Sequence, residues 1–250
     1  MLVELPNGFI DGQDHFDHVL IDELRGKQQN YLADQELVVG NIGHVPKILE
    51  DMILSVRTKD GLEWKGSIKD LVWKLPSGDL EAILIKIREN TFGTRFYFET
   101  QCTKCGHNNK NLRLNLNELK ITKLPIEELL DNKKRTVLLP KSQIEVELKP
   151  LHLKDLFDSI KITREKPHSI VTAFLRLAVK RLGDKTNIEE SDIENLPLTD
   201  LTFLNKEAEK IKLEGNIDTT IEHTCSKCNQ EFQSQLNCFE ASFFDPTRGL

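Results

Sequence analysis

Two Cys-x-x-Cys pairs carry a lysine at the same internal place, Cys102-Thr103-Lys104-Cys105 and Cys225-Ser226-Lys227-Cys228, and stand 123 positions apart in a chain of 250. No other feature restricts the fold as strongly. A Cys-x-x-Cys turn aims two sulfurs to one side of a tight loop, and two such turns complete a tetrahedral structural zinc set. An ordinary ribbon has about 15 to 20 residues between its pairs, so distant parts of this chain must fold together if one ion is shared. A duplicated chain meets that demand. Equivalent hairpin tips converge when two copies of a unit pack about an approximate two-fold axis, as equivalent patches do in a symmetric dimer.

The spacing of apolar residues supports a duplication. Val45, Ile48, Leu49, Met52, Ile53 and Val56 advance as one helical stripe, and Val171, Phe174, Leu175, Ala178, Val179 and Leu182 repeat that advance 126 positions later. Leu75-Pro76-Ser77-Gly78-Asp79-Leu80 is answered by Leu196-Pro197-Leu198-Thr199-Asp200-Leu201 at an offset of 121, so the first unit carries five extra loop residues. A second helix is predicted after each Leu-Pro, because proline disfavours a helical residue before it and Ser, Thr or Asp can cap the first turn. Leu80, Ile83, Leu84 and Ile87 supply its stripe in one unit, and Leu201, Leu204, Ala208 and Ile211 in the other. Gly93 and Gly215 stand where each helix should stop.

Past those glycines the period becomes two. Phe96, Phe98 and Thr100 lead into the first cysteine pair and Leu112, Leu114 and Leu116 lead out; Ile217, Thr219 and Ile221 precede the second pair, and Phe232, Leu236 and Cys238 follow it on one face. Each unit therefore ends in a hairpin tipped by cysteines. The unit starts match more loosely. Leu5-Pro6-Asn7-Gly8 corresponds to Leu139-Pro140-Lys141-Ser142, and Phe16, Val19 and Leu20 share helical spacing with Leu153, Leu156 and Phe157. Ile144, Val146 and Leu148 alternate like a strand. The predicted fold is α+β, a tandem duplication of a helix-rich unit ending in a zinc-ribbon-like hairpin, packed as a pseudo-two-fold pair. Residues 1–120 form the first unit, 121–134 a junction and 135–250 the second unit.

Cys102, Cys105, Cys225 and Cys228 are the predicted ligands of one structural zinc that clamps the units. Gly106 and Asn229 follow the pairs and are residue types that tolerate positive φ where the chain turns back. Metal-free thiols, two separate partial sites, disulfides and redox chemistry are the alternatives. A redox pair of the thioredoxin kind sits between strand and helix, whereas these sit between strands. His107 and His223 flank the pairs as surface or supporting residues, and Cys238 reads as a small buried hydrophobe. Four thiolates fill the coordination sphere and leave no open position for catalysis. No Gly-rich phosphate loop, His-Glu-x-x-His or nucleophile elbow occurs, so no enzyme is predicted. His15, Asp17 and His18 read as a solvated helix start, Lys206 to Glu214 as a mixed-charge outer helix face, and Phe243-Phe244 either as an exposed anchor or as packed back on the domain.

Composition narrows the class further. The net charge of −6 gives little electrostatic drive toward a phosphate backbone. Nowhere do about 18 apolar residues run together, and Met1-Leu2-Val3-Glu4-Leu5-Pro6 lacks the layout of a secretion signal. The expectation is a chain outside the membrane in a reducing compartment, where close cysteine pairs hold metal more readily than they form disulfides. A competing class is a zinc-ribbon module for nucleic acid or a transcription complex. Lys104, Lys110, Arg113 and Lys227 would form its basic edge, and Phe96 or Tyr97 would stack on bases.

Several segments, taken in order, resemble the baseplate protein family of contractile-tailed, T-even-type bacteriophages. They are Leu24-Arg25-Gly26-Lys27-Gln28-Gln29-Asn30-Tyr31-Leu32, the helix after Val45, the Leu75 to Leu80 signal, Lys86-Ile87-Arg88-Glu89-Asn90-Thr91-Phe92-Gly93 and Cys102-Thr103-Lys104-Cys105-Gly106. The second unit follows more faintly through its Cys225 pair and Ser242-Phe243-Phe244. It lacks the Gly-Lys-Gln-Gln segment and has Lys212-Leu213-Glu214 before its glycine. The resemblance implies a non-enzymatic hub component or assembly factor. Such a protein would meet other hub or tape-measure proteins in the host cytoplasm or in the tail baseplate.

Overall fold

A computed structural model describes residues 1–34, 42–125, 127, 135–165, 170–213 and 215–246. Strands β1 (Leu2–Asp11) and β2 (Asp14–Ile21) form an antiparallel pair around Gly12, whose φ of 65° a side chain would resist. Helices α1 (Gly26–Ala33) and α2 (Val45–Met52) follow, and α2 runs directly into β3 (Ile53–Thr58), which pairs with β2. Next come α3 (Ile68–Val72), α4 (Ser77–Phe92) and the hairpin of β4 (Arg95–Gln101) and β5 (Asn108–Asn115). A short β6 (Ile121–Thr122) precedes β7 (Thr136–Leu138), β8 (Glu145–Leu148), α5 (Leu153–Glu165), α6 (Ile170–Ala178) and β9 (Val179–Leu182). The chain continues through α7 (Glu190–Glu194), α8 (Leu198–Leu213), β10 (Asn216–Ile217) and the hairpin of β11 (Thr220–Thr224) and β12 (Glu231–Gln235). Two three-stranded antiparallel sheets result, β1-β2-β3 and β7-β8-β9. Among the described residues the order β-β-α-α-β-α-α-β-β occurs twice, with β6 and β10 as added strands that pair with each other. Most of the junction, residues 126 and 128–134, lies outside the described residues, as does Glu214.

Helical spacing misleads at two kinds of place. Phe16, Val19 and Leu20 lie on β2, whereas Leu153, Leu156 and Phe157 lie on α5 as predicted. The register between β2 and β3 slips between Phe16 and His18, and the irregularity leaves Phe16 and Val19 both buried three residues apart. The stripe beginning at Val45 is likewise cut at Met52. Its last members, Ile53 and Val56, belong to β3, where an extra residue, Leu54, is pushed outward to 55% exposure. The second three-stranded sheet shows the same device, because Val179 and Leu182 lie on β9 and the register skips Lys180.

Each Leu-Pro signal does start a long helix, but the acidic residue after it caps another segment. Asp79, third in α4, accepts the Asn7 and Gly8 N–H groups at 2.8 and 3.0 Å and the Asn7 side-chain amide at 3.1 Å. Asp200, third in α8, accepts the Lys141 and Ser142 N–H groups at 2.7 and 2.9 Å. Both carboxylates are fully buried, so Asp79 latches the irregular Pro6-Asn7-Gly8 stretch inside β1 onto α4, and Asp200 latches the Pro140-Lys141-Ser142 turn after β7 onto α8. Asn7 also reaches the turn after α8, donating to the Gly215 carbonyl at 2.6 Å. Ser77 N–H donates to the Leu151 carbonyl at 2.9 Å along the same seam.

Two apolar cores flank that seam. The first gathers Val3, Val19, Val56, Ile48, Leu49, Leu80, Leu84 and Ile87, and the second Leu139, Val146, Leu148, Leu175, Ile193 and Leu204. Leu236, Cys238, Phe243 and Phe244 pack into the first core although they come late in the chain. Burying the two phenylalanines contributes about 1.5–3 kcal/mol each. Among the described residues no helix is long and apolar enough to cross a membrane.

Candidate metal centre

The β4–β5 and β11–β12 hairpins end in turns with the same backbone bonding. Cys102 N–H donates to the His107 carbonyl at 2.8 Å and Gly106 N–H to the Cys102 carbonyl at 2.9 Å; Cys225 N–H donates to Gln230 at 3.0 Å and Asn229 N–H to Cys225 at 2.9 Å. Gly106 and Asn229 have φ of 69° and 56°, so both residues take the conformation their types favour. Phe98 packs against His223 across the hairpins, with ring centroids 5.5 Å apart. The tips therefore meet.

All four sulfurs, of Cys102, Cys105, Cys225 and Cys228, lie within 4.8 Å of one another. Two of the separations, Cys102 to Cys228 at 3.8 Å and Cys105 to Cys225 at 3.7 Å, each join one hairpin to the other. A disulfide requires about 2.05 Å, whereas zinc with bonds of about 2.3 Å has tetrahedron edges of about 3.8 Å. The donor set and its spacing fit a tetrahedral thiophilic ion. Cys102 and Cys225 are buried, Cys228 is half-buried and Cys105 is exposed, which gives the cluster one solvent-facing side for metal entry.

Charge favours the same conclusion. The Cys228 N–H aimed at the Cys225 sulfur, with help from the Lys227 N–H and the thiols of Cys228 and Cys105, brings Cys225 down to about 6 despite burial. At Cys228 the Gln230 N–H favours the thiolate, but burial and the sulfurs of Cys105, Cys225 and Cys102 push it up to about 12. The Cys225 thiolate forms readily and Cys228 then resists, a conflict that a divalent cation removes. Lys104 N–H also points at the Cys102 sulfur, at 3.4 Å.

The remaining candidates lie apart from the sulfurs. His223 sits between Phe98 and Phe232 with Nε2 2.6 Å from the Ser234 hydroxyl, and burial lowers its pKa. His107 contributes its carbonyl to the first turn. Cys238 is 1% exposed within the first core, in a turn after β12 rather than on a strand face. His15, Asp17 and His18 are on β2, not at a helix start; His18 Nδ1 contacts Asp17 at 2.7 Å and His15 Nε2 contacts the Asn7 carbonyl at 2.9 Å. Phe243 and Phe244 are packed back, each 1% exposed. Phe96 is 2% exposed beneath Phe98 and Phe243, which removes it as a base-stacking platform; Tyr97 is half-buried, and Lys104, Lys110, Arg113 and Lys227 are exposed.

Asn109 and Arg88 are among the buried polar residues that sequence reasoning missed. Asn109, one step into the return strand, links the hairpins and is treated below. Arg88 is fully buried on α4, donates to the Phe243 carbonyl at 2.9 Å and lies 4.8 Å from the centroid of Phe96. An arginine inside the apolar stripe of α4 was the available signal.

A family model described as T4 bacteriophage base plate protein matches residues 44–245. The chain belongs to this T4 baseplate protein family. The matched span of the baseplate protein contains both cysteine pairs, Arg88 and the Phe243-Phe244 segment, and it begins after the Leu24 to Leu32 segment. No curated protein and no solved structure matches the chain.

Proposed function

We propose that this baseplate protein is a non-enzymatic component or assembly factor of the tail baseplate hub, built from two repeats and held together by one structural zinc. Residues 1–120 and 135–250 are the repeats, with 121–134 as their junction. The recurrence of the element order, the paired Leu-Pro latches and the matched bulges support an ancestral duplication. Cys102, Cys105, Cys225 and Cys228 hold the zinc. The observation that carries the reading is the convergence of four sulfurs from two hairpins in a member of a baseplate family.

Such a clamp has a mechanical use. Structural zinc in small peptides contributes about 10–16 kcal/mol of apparent binding energy near neutral pH, comparable with the stability of a whole domain. A closed four-thiolate sphere holds two units in one orientation while leaving no coordination position for a substrate. The baseplate protein then offers its faces to other hub, tail or tape-measure proteins as one rigid body, in the host cytoplasm during assembly or in the finished tail.

Metal analysis of the natively purified chain tests the clamp, with one zinc per chain expected and zero or two overturning it. Phage carrying Cys102→Ser together with Cys225→Ser test the role. Reduced yield of complete baseplates by electron microscopy is expected, and normal particles would overturn it. Mass spectrometry of purified particles separates a resident component from an assembly factor that departs.

A further inference from the structure

The hairpins are equivalent in backbone but not in what lines their sulfurs. At the offset of 123 that superposes the cysteine pairs, Asn109 corresponds to Phe232. Both are buried, at 3% and 6% exposure, and Phe232 shares an apolar cluster with Cys102 and Cys225. Asn109 does something an apolar side chain cannot. Its amide oxygen accepts the Ser226 N–H at 2.9 Å and the Ser226 hydroxyl at 3.0 Å, and its amide nitrogen donates to the His107 carbonyl at 3.2 Å and faces the Cys225 sulfur at 3.8 Å. The orientation of the amide is determined by its partners. A backbone N–H can only donate and a carbonyl can only accept, so the oxygen must face Ser226 and the nitrogen the sulfur.

We infer that Asn109 is the positioning residue of the metal centre: rooted in the first hairpin, it holds the second cysteine turn in register and supplies an N–H to the Cys225 thiolate. The inference rests on the zinc reading above. Outer residues that fix a ligand and temper its charge commonly change metal affinity by about 10–100-fold when removed. Here the same amide performs both tasks from the opposite hairpin, so it preorganises a site whose ligands are far apart in sequence.

Cobalt(II) and zinc(II) titration of the full chain against a chromophoric chelator tests this, using wild type, Asn109→Leu and Asn109→Asp. Asn109→Leu should weaken both metals by about 10–100-fold, move the thiolate-to-cobalt charge-transfer band to lower energy, and lose hydrogen-exchange protection at the Ser226 amide. Asn109→Asp keeps the acceptor for Ser226 but removes the N–H at the sulfur. It should retain the amide protection while its affinity falls and its band moves. Affinity of Asn109→Leu within twofold of wild type would overturn the assignment, as would weaker binding with an unmoved band in both variants, which marks simple packing. Failure of the wild type itself to take up either metal would overturn the zinc reading and this inference together, whereas the preceding outcomes strike only the role of Asn109.

Discussion

Asp155→Asn tests how the start of α5 is held against the seam. Asp155 lies in the first turn of α5 with its side chain 12% exposed. Lys149 Nζ is 2.8 Å from both carboxylate oxygens, His152 N–H donates to one at 3.0 Å, and His152 Nδ1 is 3.3 Å away. The residues thus gathered flank Leu151, whose carbonyl receives the Ser77 N–H from the start of α4. Burial pushes the Asp155 carboxyl up, but the His152 ring, the Lys149 ammonium and the His152 N–H more than reverse it and hold it at about 2 instead of 3.8. That gap corresponds to about 2.4 kcal/mol of folding stability at neutral pH. Because the folded value is the lower one, the contribution is fully present above about pH 5, falls to about half near pH 3 and vanishes below about pH 2. Urea unfolding of wild type and Asp155→Asn, compared at several pH values, should show that difference closing on acidification. Tryptophan fluorescence is a suitable probe, since Trp73 packs edge-on against Phe157 of α5 at 5.1 Å. A difference below about 0.5 kcal/mol at pH 7, or an equal difference at pH 3, would refute the charge argument and leave only shape.

Gly78→Ala should destabilise despite the better helix propensity of alanine, because the new Cβ would sit 2.1 Å from the Gly215 carbonyl oxygen and 2.9 Å from the Asn216 Cα. Gly26→Ala, whose Cβ meets nothing, is the control and should stabilise by up to about 1 kcal/mol in the same denaturation assay. Arg88→Met keeps the length of the side chain but loses the bond to Phe243. A loss of about 2–3 kcal/mol is expected, with faster hydrogen exchange in residues 241–246. His44, fully buried, is held down to about 4 chiefly by burial. Since its folded value lies below the unfolded 6.5, wild type should lose up to about 3 kcal/mol as pH falls from 6.5 toward 4. His44→Leu should lack that part of the pH profile, and an unchanged profile would refute the assignment.

The cysteine turns were legible in sequence because their geometry is local: a hairpin, two sulfurs and a residue tolerant of positive φ need no knowledge of distant packing. The Leu-Pro signals were legible for the same reason. What Asp79 and Asp200 cap was not, since their partners at Asn7 and Lys141 are brought close only by the fold. Bulges explain the helical misassignments of Phe16, Ile53 and Val179, because a single extra strand residue converts a spacing of two into three. Asn109 was hidden by the assumption that a return strand alternates between core and solvent. Its mismatch with Phe232 becomes visible only when the two cysteine pairs are superposed.

The late residues that complete the first core impose an order on biosynthesis. When a ribosome has delivered residues 1–120, every strand of the β1-β2-β3 sheet exists, but Leu236, Cys238, Phe243 and Phe244, which pack into its core, do not. At about 5–20 residues per second, roughly six seconds or more pass before they emerge. Until then the part of that core that these four side chains cover has no partner. Chains released at residue 235 should therefore be digested by protease far faster than chains released at residue 246, because only the longer ones can close that core.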